Sequence, residues 1–186
     1  MKKIALLIIM TFAAFLPQLT TAKEKVVATP LQCDTVIQAQ GLTAEQIYTN
    51  LKVWFADNMR SANAVIQLDD KENCHIIGKT SLPFEVNHFT WAYLTGLIHY
   101  TIDVAARDGR FKVVIRDFIH ESNTKGWSEG LVFDGGHNPE VKGMRKHQNA
   151  EMNKRASKLC KEYIPIIIKT MQTAVAGKST VTEEDW

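Results

Sequence analysis

The stretch that decides the fold runs over residues 42–79: LTAEQIYTNLKVWFADNMRSANAVIQLDDKENCHIIGK. It predicts one amphipathic helix that leads directly into a β-hairpin. Thr43 and Gln46 have the spacing of a capping box, in which each side chain satisfies a backbone donor at the start of the helix. Apolar residues then recur at helical spacing and define a single buried face, made of Ala44, Ile47, Tyr48, Leu51, Trp54, Phe55 and Met59. On this stripe we expect Trp54 to anchor the core, and the helix to end over 58–61.

Short segments around this helix predict strands, at residues 36–39, 65–68 and 74–79. The last two are joined by the polar turn over 69–73, and a loop of four or of five residues fits it equally well. The segment over 81–90 contains Pro83, which indicates an edge segment or a strand extension.

A second hairpin is better determined because Asp108-Gly109 is a strong signal for a two-residue turn. It joins strands over 97–106 and 110–119, in a register where opposed residue numbers add up to 217. Apolar pairs then share one face, namely Ala106 with Phe111, Val104 with Val113, Ile102 with Ile115, and Ile98 with Ile119. Only the rung of Tyr100 and Asp117 departs from this pattern. We therefore predict a half-buried antiparallel pair.

The segment over 120–147 holds five of the ten glycines of the chain. Long loops of this kind are uncommon in compact domains unless they carry a function. Trp127 predicts an anchored point, and Trp127, Asp134 and His137 are candidate ligand or partner contacts. Two such side chains without further ligands predict neither a metal site nor a catalytic one, and no cofactor is indicated.

The last predicted element is a helix over 148–175, with apolar residues at helical spacing. Pro165 lies in its middle, so we expect a kink or a break near Ile164. Around the proline the helix is apolar on nearly every side, which makes Tyr163 and Ile167 candidate ligand contacts if this patch is not part of the core. The acidic tail over 179–186 is expected to be loosely ordered.

The first 22 residues have the pattern of an export signal: Lys2 and Lys3, an apolar run, and small residues ending at Ala22. We expect cleavage near Ala22 to leave one periplasmic or secreted domain over 23–178, without a membrane span. The 20 basic and 20 acidic residues of the chain after Ala22 cancel, which argues against a nucleic-acid partner. In an oxidising compartment Cys33 and Cys74 could pair if their strands are neighbours.

The order strand, helix, four antiparallel strands and helix predicts an α+β domain. The capped helix and the first hairpin, with the export signal, resemble a secreted bacterial family of unknown function that has a TATA-binding-protein-like (TBP-like) fold. The resemblance covers roughly residues 35–120. It implies a single α+β domain with a twisted antiparallel sheet and helices packed on one face. It implies no catalytic residues, and a fold shared with a DNA-binding protein does not imply DNA binding.

Three functions are compatible with these patterns. The first is a non-catalytic binding module that holds a small apolar or amphipathic ligand, or a peptide, between the sheet and the last helix, roofed by 120–147. The second is a cell-envelope interaction module that uses a strand edge or the basic residues over 142–161. The third, a hydrolase using Asp134 and His137, lacks a recognisable nucleophile or metal site.

Overall fold

The computed structural model describes residues 28–58, 66–143 and 145–177. The export signal, Met59, Val65 and the tail over 179–186 lie outside these residues. Within them the chain forms eight strands, two α-helices and one 3-10 helix.

The main sheet is antiparallel and places its long strands in the order β2-β6-β5-β4-β3. In chain order the strands are β1 (Thr29–Pro30), β2 (Cys33–Gln38), β3 (Ile66–Asp70), β4 (His75–Phe84), β5 (Gly96–Arg107), β6 (Arg110–Ser122), β7 (Gly130–Leu131) and β8 (Phe133–Asp134). β7 pairs with the end of β6, and β1 pairs with β8 in a separate two-stranded sheet. The 3-10 helix Phe89–Leu94 connects β4 to β5.

Helix α1 (Ala44–Asn58) begins as the sequence predicts. The backbone N–H of Thr43 donates to the Gln46 side chain at 2.9 Å, and the N–H of Gln46 donates to the Thr43 hydroxyl at 3.3 Å, which completes the capping box. The turn of the β5–β6 hairpin docks here, because the Asp108 carboxylate accepts a hydrogen bond from Ala44 N–H at 2.8 Å. A carboxylate at this end also complements the helix dipole.

Helix α2 (Arg145–Ala176) is longer than predicted and continues through Pro165, so the expected break is absent. The Pro165 ring is exposed, and this lets the helix pass over the sheet without burying the proline. Both helices cover the same face of the sheet. Trp54, 4% exposed, joins them by donating its indole N–H to the Thr170 hydroxyl at 3.1 Å, so its predicted role as a core anchor is confirmed.

The β5–β6 register is confirmed from Arg107 and Arg110 up to Thr101 and Arg116, and then it shifts by one residue. The predicted pairs of Ile98 with Ile119 and of Tyr100 with Asp117 are therefore wrong. Asp117 has a positive φ of 58° and forms a β-bulge. Phe118 turns inward and stacks on Tyr100, with ring centroids 5.5 Å apart.

Cys33 and Cys74 do not lie on neighbouring strands, because β6 and β5 separate β2 from β4. Both are free thiols, as is Cys160. A disulfide between Cys33 and Cys74, which was expected only if their strands were neighbours, is therefore excluded by the order of the strands. The segment predicted as one long loop instead contains β7 and β8, which fasten it to β6 and β1.

Candidate functional site

A groove lies on the face of the sheet that the helices leave uncovered, and it has a volume of about 980 Å³. Four partly exposed apolar residues line it: Pro83, Leu97, Ile119 and Leu131. Pro83, Leu97 and Ile119 each lie between two buried residues of their strand. Because successive side chains of a strand point to opposite faces of the sheet, these three point away from the core. Leu131 is the registered partner of Ile119 and shares its face.

Polar side chains complete the groove. Lys79, Ser81, His99, Thr101 and Asp117 contribute to its lining, and the groove continues past the edge of β4 to Asn58 at the end of α1. Lys79 is exposed, and among the described residues no carboxylate lies within ion-pair distance of it. The adjoining segment over 59–65 contains no acidic residue in the sequence.

Other polar and charged side chains on this face contact one another. His99 Nε2 lies 2.8 Å from a Glu121 oxygen. Arg116 contacts Asp117 at 2.6 Å and Asp103 at 3.5 Å. Such exposed pairs contribute little stability. Lys79 is therefore the one groove cation that the described part of the chain leaves without a counter-charge.

A second surface, here called the aromatic patch, lies where the 3-10 helix meets the segment after β6. It comprises Trp91, Tyr93, Trp127 and His147, together with Phe89. Trp127 stacks on Tyr93 with ring centroids 4.5 Å apart, and Trp91 lies 6.1 Å from Tyr93 and 5.6 Å from His147. Partial burial raises the pKa of the Tyr93 hydroxyl, with a smaller contribution from the charge of Glu129. The predicted anchoring role of Trp127 thus has a partner in Tyr93.

Beneath the patch, a buried polar network ties the segment after β6 to α2. The Glu129 carboxylate accepts hydrogen bonds from Arg145 at 2.8 Å and from the Asn149 amide at 3.0 Å. The backbone N–H of Glu129 donates to His120 Nδ1 at 3.1 Å, so the imidazole donates from Nε2 to the Leu94 carbonyl at 2.7 Å. Burial lowers the pKa of His120, which keeps it in this neutral form. A carboxylate and an imidazole satisfied in this way hold structure and have no free atom for catalysis.

The five candidate residues from the sequence do not converge on one site. Asp134 forms an ion pair with Lys161 at 2.5 Å, and His137 is half-buried. Tyr163 is 38% exposed on α2, whereas Ile167 is buried in the core. The expected groove between the sheet and α2 is filled by core side chains such as Ile98, Ile164 and Met171.

Sequence reasoning therefore missed the groove on the uncovered face. The sequence pattern assigned Ile119 to the buried face of the hairpin, and it did not single out Leu97 or Leu131. One signal was available. The rung that would pair Tyr100 with Asp117 puts a carboxylate on an otherwise apolar face, and a bulge resolves that conflict.

Across residues 28–58, 66–143 and 145–177, no three side chains of His, Cys, Asp or Glu lie close enough together to hold a metal ion. Within the same residues, neither helix combines the length and apolar character needed to cross a membrane.

Comparison with known proteins now places the fold. Residues 34–121 match the family described as a domain of unknown function (DUF4468) with a TBP-like fold. This part of the chain is therefore similar to that family. The matched segment runs from β2 to β6 and so contains the five long strands of the main sheet, α1 and most of the groove, while β7, β8 and α2 lie beyond it.

Two solved structures share the architecture. A TBP-like protein from Parabacteroides distasonis superposes with a TM-score of 0.56 at 10% identity, covering 77% of this chain and 93% of its own. A DUF4468 family protein from Bacteroides ovatus gives 0.53 at 14% identity, covering 82% of this chain and 90% of its own. At such identities the likeness shows the fold alone. No curated protein matches the chain.

Proposed function

We propose that this protein is a non-catalytic binding module, and that the groove on the uncovered sheet face receives a small amphipathic ligand or a short peptide. The observation that carries the proposal is the set of exposed apolar side chains in a groove large enough for a small molecule. Leu97, Ile119 and Leu131 are each at least 36% exposed, although the neighbours of Leu97 and Ile119 on β5 and β6 are buried. Exposed apolar patches framed by polar residues are typical of binding sites.

The charges of the groove favour a ligand with an apolar body and one anionic group. Lys79 provides a positive charge that has no partner among the described residues. It lies on β4, which β5 separates from the apolar residues of β6 and β7. The acids Asp103, Asp117 and Glu121 border the same face. A surface of this composition lacks the basic excess that nucleic-acid backbones need, so DNA binding of the kind the fold name suggests is not our proposal.

We place this function outside the cytoplasm, on the basis of the export pattern over residues 1–22. The proposal also replaces the site expected from the sequence, because the space between the sheet and α2 is occupied by the core.

The test uses 1-anilinonaphthalene-8-sulfonate, an amphipathic anion whose fluorescence rises in apolar sites, with the chain from Lys23 to Trp186. The variant Ile119→Ser removes apolar surface from the groove, and we expect at least about tenfold weaker binding because most of the contact area of one isoleucine is lost. The matched control is Ile166→Ser on α2. Ile166 is 54% exposed and Ile119 is 43% exposed, so neither substitution opens the core.

Lys79→Gln should weaken binding of the sulfonate and leave binding of the neutral analogue N-phenyl-1-naphthylamine unchanged. Equal affinities of the wild type and Ile119→Ser would refute the groove as the site. Native mass spectrometry of the protein purified from its own envelope provides the second readout, because an adduct that Ile119→Ser loses and Ile166→Ser keeps identifies the natural ligand.

A further inference from the structure

The aromatic patch is unusually exposed for its residue types. Phe89 is 100% exposed at the start of the 3-10 helix, two residues before Trp91, and Trp127 is 39% exposed. The neighbouring rings support one another, as the stacking of Trp127 on Tyr93 shows. A fully exposed phenylalanine costs free energy in water, so a surface that covers it would be stabilised by its burial.

Three lysines lie close in sequence to residues of this patch or to the start of α2, which supplies His147. Lys125 lies two residues before Trp127, Lys142 lies shortly before α2, and Lys146 adjoins His147 in the first turn of α2. All three are exposed and, among the described residues, form no ion pair. Arg145 is different, because it is committed to the buried Glu129 carboxylate.

The acids of the same segments do not pair with these lysines. The buried Glu129 carboxylate contacts Arg145, and the exposed Glu121 contacts His99. Glu85 and Glu140 are also exposed, and among the described residues neither forms an ion pair with a lysine of the patch. The patch therefore combines exposed aromatic rings with three lysines that are free to contact anionic groups.

We propose that the aromatic patch is a docking surface for the interface of a phospholipid bilayer that carries anionic headgroups. Trp and Tyr are enriched at membrane interfaces because their rings have an apolar body and a polar atom. Lysines next to such rings gain from the negative potential of the headgroups. A protein partner fits less well, since lysine is depleted in protein–protein interfaces. The proposal does not depend on the groove, which lies on another surface.

The experiment is co-sedimentation of the chain from Lys23 to Trp186 with vesicles, since the apolar run over 4–16 would itself insert into lipid. The structure places the complete sheet and both helices inside this chain. One vesicle population is phosphatidylcholine alone, and the other is an equal mixture of phosphatidylcholine and phosphatidylglycerol. We expect binding to the mixed vesicles that weakens as salt is added.

Two variants and two matched controls locate the contact. Phe89→Ser should reduce partitioning at least about tenfold, and because the side chain is fully exposed this variant keeps the fold. Lys142→Gln with Lys146→Gln should reduce it about 25-fold, since each lysine near an anionic surface contributes roughly fivefold. The controls Ile166→Ser and Lys169→Gln change an exposed apolar and an exposed basic residue elsewhere on α2, and should leave binding unchanged.

Loss of binding in both patch variants with both controls intact supports the proposal. Absence of binding to the mixed vesicles overturns it, as does binding that Phe89→Ser leaves unchanged. If the vesicles do not bind but Phe89→Ser abolishes a crosslink to an envelope protein, the patch is a protein interface and the lipid proposal is wrong.

Discussion

Replacing Asn153 by alanine tests whether the buried polar network holds the segment after β6 in place. Asn153 is 1% exposed, and its side-chain oxygen accepts the backbone N–H of Phe133 at 2.7 Å. Its amide donates to the backbone and side-chain oxygens of Asn149 at 3.0 and 2.9 Å. The substitution therefore removes three hydrogen bonds, one of which links α2 to the backbone of β8.

The cost follows from which groups lose their partners. The Asn149 side-chain oxygen keeps a hydrogen bond from Asn138 N–H at 2.8 Å, so it remains satisfied. The N–H of Phe133, a residue only 7% exposed, loses its acceptor. An unsatisfied buried donor costs about 1–3 kcal/mol, and the lost amide bonds add about 1 kcal/mol. We expect Asn153→Ala to lower the free energy of unfolding by about 2–4 kcal/mol.

Urea unfolding followed by far-UV circular dichroism measures this change, with Asn58→Ala as the control. Asn58 is an exposed residue at the end of α1 whose amide makes one hydrogen bond to the Trp54 carbonyl, so we expect a loss below about 1 kcal/mol. Hydrogen exchange at Phe133 gives the local readout and should become much faster in Asn153→Ala. A loss of stability no larger than that of the control, with the Phe133 amide still protected from exchange, would show that the network does not hold the segment after β6 in place.

Three further predictions concern single positions. Burial lowers the pKa of His120 below 6.5, so below that pH the unfolded state binds more protons than the folded state. The free energy of unfolding should therefore fall as the pH drops below 6.5. Urea unfolding at a series of pH values measures this decrease, and His120→Gln should make it smaller. Burial raises the pKa of the Cys160 thiol to about 12, so at pH about 8 a maleimide should modify it only after unfolding, as counted by mass spectrometry. A Cβ at Gly96 would lie 2.0 Å from the Glu121 carbonyl oxygen, so Gly96→Ala should lower the stability measured by thermal unfolding by about 2–3 kcal/mol. Gly41→Ala is the comparison and should cost about 1 kcal/mol, because Gly41 has a φ of +84° but open space around it.

Local rules explain the parts of the fold that could be predicted from the sequence. The capping box of Thr43 and Gln46 concerns neighbouring residues, and so does the turn at Asp108-Gly109, which sets the register of the rungs next to it. Binary patterning then assigns the buried faces of α1 and of the strands. The α+β architecture follows from these local choices, and the TBP-like family confirms it.

The parts that were missed depend on contacts distant in sequence. β1 and β8 are two residues each and pair across more than a hundred residues, which no local pattern reports. The buried network is a partial exception. Asn149 and Asn153 lie on the apolar stripe of α2 next to Met152, and polar residues at core positions indicate buried hydrogen-bond partners. The stripe shows that such partners exist, but only the fold identifies them as Glu129 and the Phe133 backbone.

The groove itself arises from a shift in register. With strict alternation, Ile119 would face the core and His120 would face the solvent, as the rungs closer to the turn imply. The bulge at Asp117 adds one residue to β6, so His120 is buried at 1% exposure and Ile119 is turned outward. Ile119 pairs with Leu131 on one side and with His99 on the other, and Leu97 lies two residues from His99 on the same face of β5. A bulge that buries a histidine and exposes an isoleucine opposes the simple hydrophobic preference. In the function that we propose, a bound ligand would cover the apolar side chains that the bulge exposes.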